Sequence, residues 1–374
     1  MESLQTLKTP CLVLDADRVR GNAARVSRIA TDNGVRLRPH IKTHKCVEVA
    51  RIQTAGHDGG VTVSTLAEAR AFIDNGFDDI TYAIPVEAGK FAEVIEIVQS
   101  GVKLSVITDD MATTQLLDQA AAKAEVNISV FLKTDCGYHR CGVEPHTAEA
   151  MSIPRTISDA SNLYFAGILT HSGHSYHGRS AEEILTIARQ ERDVMVAFAT
   201  KLRSDGIEVP TVSIGSTPSI MHVDHLEGVD EIRPGNYIFF DAFQATQGNC
   251  SFGDCALSVL AAVTHVSRQY KKIIVDAGGI AMSKDRGPVE FDSACGYGRV
   301  LDLEGNDLGL RIDSLSQEHG EMTVLDEQLF DKLTVGARVR ILANHSCMTA
   351  AQHTHYNVIE NGSIVDKWQI HTGW

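Results

Sequence analysis

The chain has no long apolar run, no excess of basic residues and no C-x-x-C pair, and each absence removes a class of function. No window reaches the roughly 18 consecutive apolar residues that suggest a bilayer span. The opening "MESLQTLKTPCLVLDADRVR" lacks the basic start and apolar middle of a secretory leader, so a cytoplasmic protein with no membrane partner is expected. A net charge of −14, with no Lys/Arg cluster to counter it, opposes binding to a phosphate backbone and excludes nucleic acid as a partner. The eight cysteines, at 11, 46, 136, 141, 250, 255, 295 and 347, are scattered, which does not fit a small disulfide scaffold. No G-x-G-x-x-G follows the first β-like run, which argues against a dinucleotide-binding sheet.

What is present is a long alternation of strand-like and helix-like segments. "VRLRPHIK" (35–42), "GVTVST" (60–65), "DITYAIP" (79–85), "KLSVITD" (103–109), "NISVFLKTD" (127–135), "YFAGILTH" (164–171), "TVSIGST" (211–217) and "EIRPGNYIFFD" (231–241) read as eight strands. Helical periodicity separates them, as in "TLAEARAFIDNG" and "SAEEILTIARQERDVMVAFATKLRSDG". Strands alternating with helices require parallel pairing, and eight of them close best as a (β/α)8 barrel of the α/β class. After about residue 250 the texture turns to alternating runs between Gly/Asn/Asp turns, such as "VGARVRILANHS", which predicts an all-β domain. The expected division is a barrel over 1–248 and a β domain over 249–374, with the opening residues 1–14 able to pair with the β domain instead of the barrel.

In such a barrel, chemistry sits at the C-terminal ends of the strands. Lys42 ends the first barrel strand in "RLRPHIKTHK", where Arg38, His40, His44 and Lys45 would surround it with positive charge and lower its pKa, favouring a nucleophilic amine. "SIGSTP" offers Gly215, Ser216 and Thr217 at a helix start, suited to a phosphate monoester and equally to an ordinary N-cap. A strand-end lysine with a phosphate cup suggests pyridoxal 5′-phosphate (PLP). In "THSGHSYH", His171 reads as a ring packed on a cofactor and Tyr176 as a phosphate or substrate contact, with His174 and His177 as ordinary loop residues. In "ANHSCMTA", His345 and Cys347 stand two residues apart; on a strand over 337–347 both would face one side and could share a zinc ion. "SQEHG" (316–320) could orient a ligand or form a surface turn.

The ordered set "RPHIKTHK", "TDCGYHRCG", "GILTHSGHSY", "SIGSTPS", "EIRPGNYIFFD", "QEHG", "ANHSCMTAAQ" and "HTGW" resembles the D-serine dehydratase-like branch of the fold-type III, alanine-racemase-like PLP enzymes. That branch holds D-serine and D-threo-3-hydroxyaspartate dehydratases together with D-threonine and 3-hydroxyaspartate aldolases, and the pattern looks most like its 3-hydroxyaspartate dehydratases. The resemblance implies a PLP barrel with a β domain, assembled as a homodimer. It implies that Lys42 forms the Schiff base, that Arg140 contacts the phenolic oxygen of PLP, and that His171 lies beside the ring. Tyr176, Gly215, Ser216, Thr217, Gly235 and Asn236 match positions on the phosphate side, Arg233 matches the arginine at the pyridine nitrogen, and His345 and Cys347 match the zinc ligands.

The implied activity is elimination of water from a D-configured β-hydroxy amino acid, D-threo-3-hydroxyaspartate or D-serine, to a 2-oxo acid and ammonia. The alternative is metal-dependent retro-aldol cleavage to glycine and an aldehyde or glyoxylate. The aldolases of the branch carry an aspartate where this chain has Cys347, an oxygen ligand suited to Mn2+ or Mg2+, whereas a thiolate selects Zn2+. A racemase and a non-catalytic PLP-binding protein are lower-ranked readings.

Overall fold

The computed structural model describes residues 3–374, which fall into two compact units. One comprises residues 25–42, 50–235 and 371–374; the other comprises 1–24, 43–49 and 236–370. Strand β1 (Cys11–Asp15) is followed by a helix over Ala16–Asn33, whose first turn is capped by Asp15 accepting from the Arg18 N–H at 3.1 Å.

The barrel unit then supplies β2 (Arg36–Leu37), β3 (Val61–Val63), β4 (Asp79–Pro85), β5 (Lys103–Thr108), β6 (Ile128–Lys133), β7 (Leu163–Leu169), β8 (Val212–Ile214) and β9 (Glu231–Ile232). All eight are parallel, in the order β2-β9-β8-β7-β6-β5-β4-β3. A parallel bridge between His40 and Thr62, with the Thr62 N–H donating to the Pro39 carbonyl at 2.9 Å, joins the two outer members and closes the ring. The eight expected barrel strands are therefore present. Gly167 (φ +130°) lets β7 and β8 meet, since a Cβ there would lie 2.0 Å from the Thr211 carbonyl oxygen.

Between the strands run helices such as Ala181–Ser204, capped by Ser180 and burying Ile184, Ala188, Glu191, Met195, Phe198 and Leu202 at three- and four-residue intervals. Inside the barrel, Ile107, Phe131, Ala166 and Leu169 form an apolar plug. The strands' N-terminal ends frame a cavity of about 800 Å³ whose lining includes Arg36, Arg38, Asp79, Ser105, Ser129 and Glu231. Its polar groups bond one another: Ser105 Oγ donates to Ser129 Oγ at 2.9 Å, and Arg38 is clamped between Asp79 and Glu231. This end of the barrel is opposite to the one where strand ends deliver Lys42, Lys133 and the Gly215 loop.

The second unit is a mainly antiparallel sheet. It contains β10 (Leu257–Ser267), β11 (Lys272–Val275), β12 (Gly298–Leu301), β13 (Asp307–Arg311), β14 (Ser314–Leu315), β15 (Gly320–Thr323), β16 (Arg338–Ala343), β17 (His355–Glu360) and β18 (Ser363–Gln369). The main order is β13-β12-β16-β10-β1-β17-β18, so β1 lies in this sheet, with Leu12, Val13 and Leu14 fully buried between β10 and β17.

Two expected strands differ. The run 231–241 is strand only at Glu231–Ile232; Pro234 cannot donate to a ladder, and Asn236–Ile238 form a 3-10 turn. Its Tyr237, Phe239 and Phe240 are apolar and buried because they anchor the core, not because they alternate in a sheet. The run 337–347 is strand only at Arg338–Ala343; His345 caps a short helix, Ser346–Ala350. His345 and Cys347 are therefore brought together by a helix start and not by the pleat of a strand.

Candidate active site

Lys42 sits in the middle of a 3-10 turn, Ile41–Thr43, that follows β2. Ile41 and Thr43 are buried on either side, which turns the lysine side chain outward, so Lys42 is exposed. The positive surroundings expected for it are different in kind. Arg38 donates to Glu231 Oε2 at 2.7 Å and to Asp79 Oδ1 and Oδ2 at 2.7 and 3.1 Å, and although burial works the other way, these carboxylates hold its pKa above the ordinary value. Its charge is spent on them. His40 and His44 each use Nδ1 as an acceptor, from the Lys42 N–H at 3.4 Å and the Cys46 N–H at 3.0 Å respectively.

The positive charge gathers around His171 instead. Removal from water, then Lys42, Lys133, Arg140 and Arg233 in that order, push the His171 pKa well below the ordinary value and keep the ring neutral. Lys133, the last residue of β6, escaped the sequence reading although "FLKTD" places it at a strand end just as "HIKTH" places Lys42. It is 4% exposed, and burial followed by the nearby Arg233 brings its pKa down to about 8.

Arg140 is carried on a loop organised by Asp135. One carboxylate oxygen of Asp135 accepts from the N–H groups of Gly137, Tyr138 and His139 at 2.9, 2.9 and 3.1 Å, and the other lies 2.9 Å from the His139 ring. The Arg140 guanidinium lies over the Tyr138 ring, 5.1 Å from its centre, and that ring meets His171 edge-on at 6.1 Å. Tyr176 lies 6.5 Å from His171, ring centre to ring centre.

The Gly215 loop needs its glycine: φ is +109°, and a Cβ would lie 2.9 Å from the Ile220 side chain. Ser216 caps the helix Thr217–His222, so the N-cap role weighed from sequence is filled. Beneath the loop lies Glu191, fully buried, another residue the sequence hid because it falls on the apolar face of a long helix. Its Oε1 accepts from the Ser172 and Gly215 N–H groups at 3.1 and 3.0 Å, and its Oε2 from Ser219 Oγ at 3.0 Å. Ser216 Oγ lies 2.7 Å from Ser175 Oγ and 3.0 Å from Ser219 Oγ, completing a buried hydroxyl network. The Gly215 N–H thus serves Glu191, and the Ser216 hydroxyl belongs to this buried network.

Arg233 is 5% exposed; Nε donates to Ser213 Oγ at 2.7 Å and Nη2 to the Thr170 carbonyl, and burial draws its pKa down to about 10. Four cations around a neutral imidazole, two of them deeply buried, fit a small polyanion such as a phosphorylated coenzyme.

In the sheet unit, Asp241 and Asp285 organise a second cluster. Asp241 Oδ2 accepts from the Ser346 N–H at 3.0 Å and from Asn236 Nδ2 at 2.8 Å, fixing the start of the helix that carries Cys347. The Asn236 side chain therefore faces Asp241, Ser346 and the Cys347 sulfur (3.5 Å), leaving only its main chain for the expected phosphate contact. His345 Nδ1 lies 2.6 Å from Asp285 Oδ2. Burial disfavours charge on both His345 and Cys347, yet each counters it: the Asp285 and Cys347 bonds raise the histidine well above its usual pKa, and the His345 and Thr43 bonds bring the thiol down to about 7. A thiolate beside an imidazole whose far nitrogen rests on a carboxylate is a donor set that suits zinc. Among the described residues no group of three His, Cys, Asp or Glu converges as a metal cage. Glu318 and His319 of "SQEHG" are exposed in the turn joining β14 to β15.

A parallel eight-stranded barrel joined to a β unit, with a strand-end lysine and a cationic mouth, defines the alanine-racemase class of barrel proteins. The chain belongs to that family: residues 14–242 match the profile of the alanine racemase N-terminal domain, and residues 256–359 match a putative serine dehydratase domain. It is 37% identical to D-threo-3-hydroxyaspartate dehydratase from Delftia sp. (strain HT23), aligned over all of both chains. It is 35% identical to a D-serine dehydratase from Dictyostelium discoideum, over 100% of this chain and 99% of that one. A solved structure of a cysteine-to-alanine mutant of D-threo-3-hydroxyaspartate dehydratase in a metal-free form superimposes with a TM-score of 0.96 at 36% identity, covering 100% of each chain.

Proposed function

We propose that the protein is a PLP- and zinc-dependent ammonia-lyase that removes water from a D-configured β-hydroxy amino acid, D-threo-3-hydroxyaspartate or D-serine, to give a 2-oxo acid and ammonia. The observation that carries this reading is the His345–Cys347 pair, backed by Asp285, in a chain aligned over its whole length with dehydratases. When bound, PLP acidifies the Cα hydrogen of the substrate amine, and zinc makes hydroxide a tolerable leaving group.

Lys42 is the residue that would hold the coenzyme, and its free amine would then take the Cα proton on Nζ. Arg140 would hold the phenolic oxygen, and His171, kept neutral by burial and then by its cationic neighbours, would offer a flat uncharged face beside the ring. Ser216, Thr217, Tyr176 and the main chain at Gly235 and Asn236 would cradle the phosphate, with Gly215 shaping the loop through its positive φ and not through its N–H, which Glu191 holds. Arg233, whose Nε and Nη2 are held by Ser213 and the Thr170 carbonyl, would face the pyridine nitrogen; a guanidinium has no lone pair with which to accept a hydrogen bond from a protonated ring, so it would favour the unprotonated form. An unprotonated ring would withdraw electrons weakly, so loss of the β-hydroxyl would need the Lewis acid that His345 and Cys347 would hold. The hydroxyl would leave as water with the proton that Lys42 Nζ took from Cα, and the released enamine would tautomerise to an imine that a second water hydrolyses to the 2-oxo acid and ammonia.

A homodimer in the cytoplasm, with the domain boundary near residue 248, completes the proposal. The two family profiles end and begin at 242 and 256, and none of the eight cysteines forms a disulfide, as a reducing compartment requires. The test is to incubate the enzyme with D-serine, D-threonine and both D-3-hydroxyaspartate diastereomers and assay ammonia, 2-oxo acid and glycine. Ammonia with an equal amount of 2-oxo acid is expected. Glycine without ammonia would replace the dehydratase with an aldolase.

A further inference from the structure

We infer that Asp285 is the positioning residue of the metal pair: its carboxylate holds the proton of His345 on Nδ1, keeps the Nε2 lone pair turned to the ion shared with Cys347, and thereby sets zinc affinity. This rests on the metal reading above. The two carboxylate oxygens have separate tasks. Oδ1 accepts from the Gly287 N–H at 2.7 Å and Oδ2 lies 2.6 Å from His345 Nδ1, while the Asp285 N–H donates to Ser283 Oγ at 3.1 Å.

The loop carrying Asp285 is pinned to the helix carrying Cys347. Thr349 Oγ1 donates to the Met282 carbonyl at 2.7 Å and approaches the His345 carbonyl at 3.2 Å. Gly287 passes so close to the residue before His345 that a Cβ there would lie 3.1 Å from the Asn344 carbonyl oxygen. Asp285 and His345 are 60 positions apart, so their contact is a tertiary feature and not a by-product of local turn geometry. The other carboxylate that acts on His345, Asp241, has its oxygens engaged by Ser346, Asn236 and Gln244, which leaves Asp285 as the partner of the ring.

Both side chains of the pair are over a third exposed, at 38% and 37%, and an ion pair so exposed contributes little to folding. Its worth lies in orientation. A neutral imidazole has one N–H and one lone pair, and only the form protonated on Nδ1 presents Nε2 to a metal. In Asp285→Asn one amide orientation sets an NH2 against the Gly287 N–H. The other sets it against Nδ1, which must then accept, driving the proton to Nε2 and blocking ligation.

The experiment uses the PLP-loaded enzyme stripped of metal, with zinc affinity measured by competition against a chromophoric chelator. Asp285→Asn should bind zinc about 10–100-fold more weakly than wild type, with the visible PLP band and the apo unfolding midpoint unchanged. Asp285→Glu, which restores an anionic acceptor, should fall between the two. Wild-type affinity in Asp285→Asn alongside lost binding in His345→Ala overturns the role of Asp285 and leaves the metal reading standing. Equal affinity in wild type and His345→Ala overturns the metal reading and this inference with it.

Discussion

The Thr43 hydroxyl lies 3.2 Å from the Cys347 sulfur. Both residues belong to the sheet unit. A thiolate can only accept, so when the sulfur is ionised the hydroxyl is the donor. Thr43→Val keeps the shape and removes that donor. Loss of one charge-assisted hydrogen bond should weaken zinc binding by about tenfold or more, read in the same chelator competition, with the PLP band retained.

Lys42→Ala should abolish the visible absorbance of the bound coenzyme and lower ammonia release at least about 100-fold, the ordinary worth of a positioned acid–base group. Retention of the band in a desalted sample would mean that another amine, with Lys133 the first suspect, carries the coenzyme.

Arg38 predicts stability, not chemistry. Glu231 is 1% exposed on its side chain and Arg38 11%, so Arg38→Met leaves a buried carboxylate without its main partner. Breaking such a pair costs about 3–5 kcal/mol, which should appear as a lower urea midpoint of the apoprotein with an unchanged slope.

Lys133 makes a prediction in pH. Its amine titrates near 8 in the folded chain against 10.5 ordinarily, because burial penalises the charge. Between those values the unfolded chain holds the extra proton, so stability rises with pH, and the gain is lost as pH falls through about 8. The shift corresponds to about 3 kcal/mol. Unfolding of the apoprotein at about pH 7 and about pH 10 should show that rise in wild type relative to Lys133→Met, in which the side chain no longer titrates.

The barrel was legible because its strands are short apolar runs separated by amphipathic helices, a pattern set by local chemistry. The strand reading overran at 231–241, where the strand ends at Ile232 and Tyr237, in a 3-10 turn, and Phe239 and Phe240, just after it, are apolar for reasons of burial. His345 and Cys347 were noticed on their spacing, yet the spacing works through a helix start that no pleat argument foresees. The electrostatics were least legible. "RLRPHIKTHK" looks like a knot of positive charge, but Arg38 is answered by Asp79 and Glu231, far away in sequence, and two of its histidines accept hydrogen bonds on Nδ1. Asp285 and Glu191 carry no motif at all: each matters only through contacts formed on folding.

X-ray absorption at the zinc edge of the reconstituted enzyme tests the central claim most directly. The account predicts one sulfur at about 2.3 Å and at least one imidazole nitrogen at about 2.0 Å, with the sulfur shell absent in Cys347→Ala. A first shell of nitrogen and oxygen alone in the wild-type enzyme would contradict it.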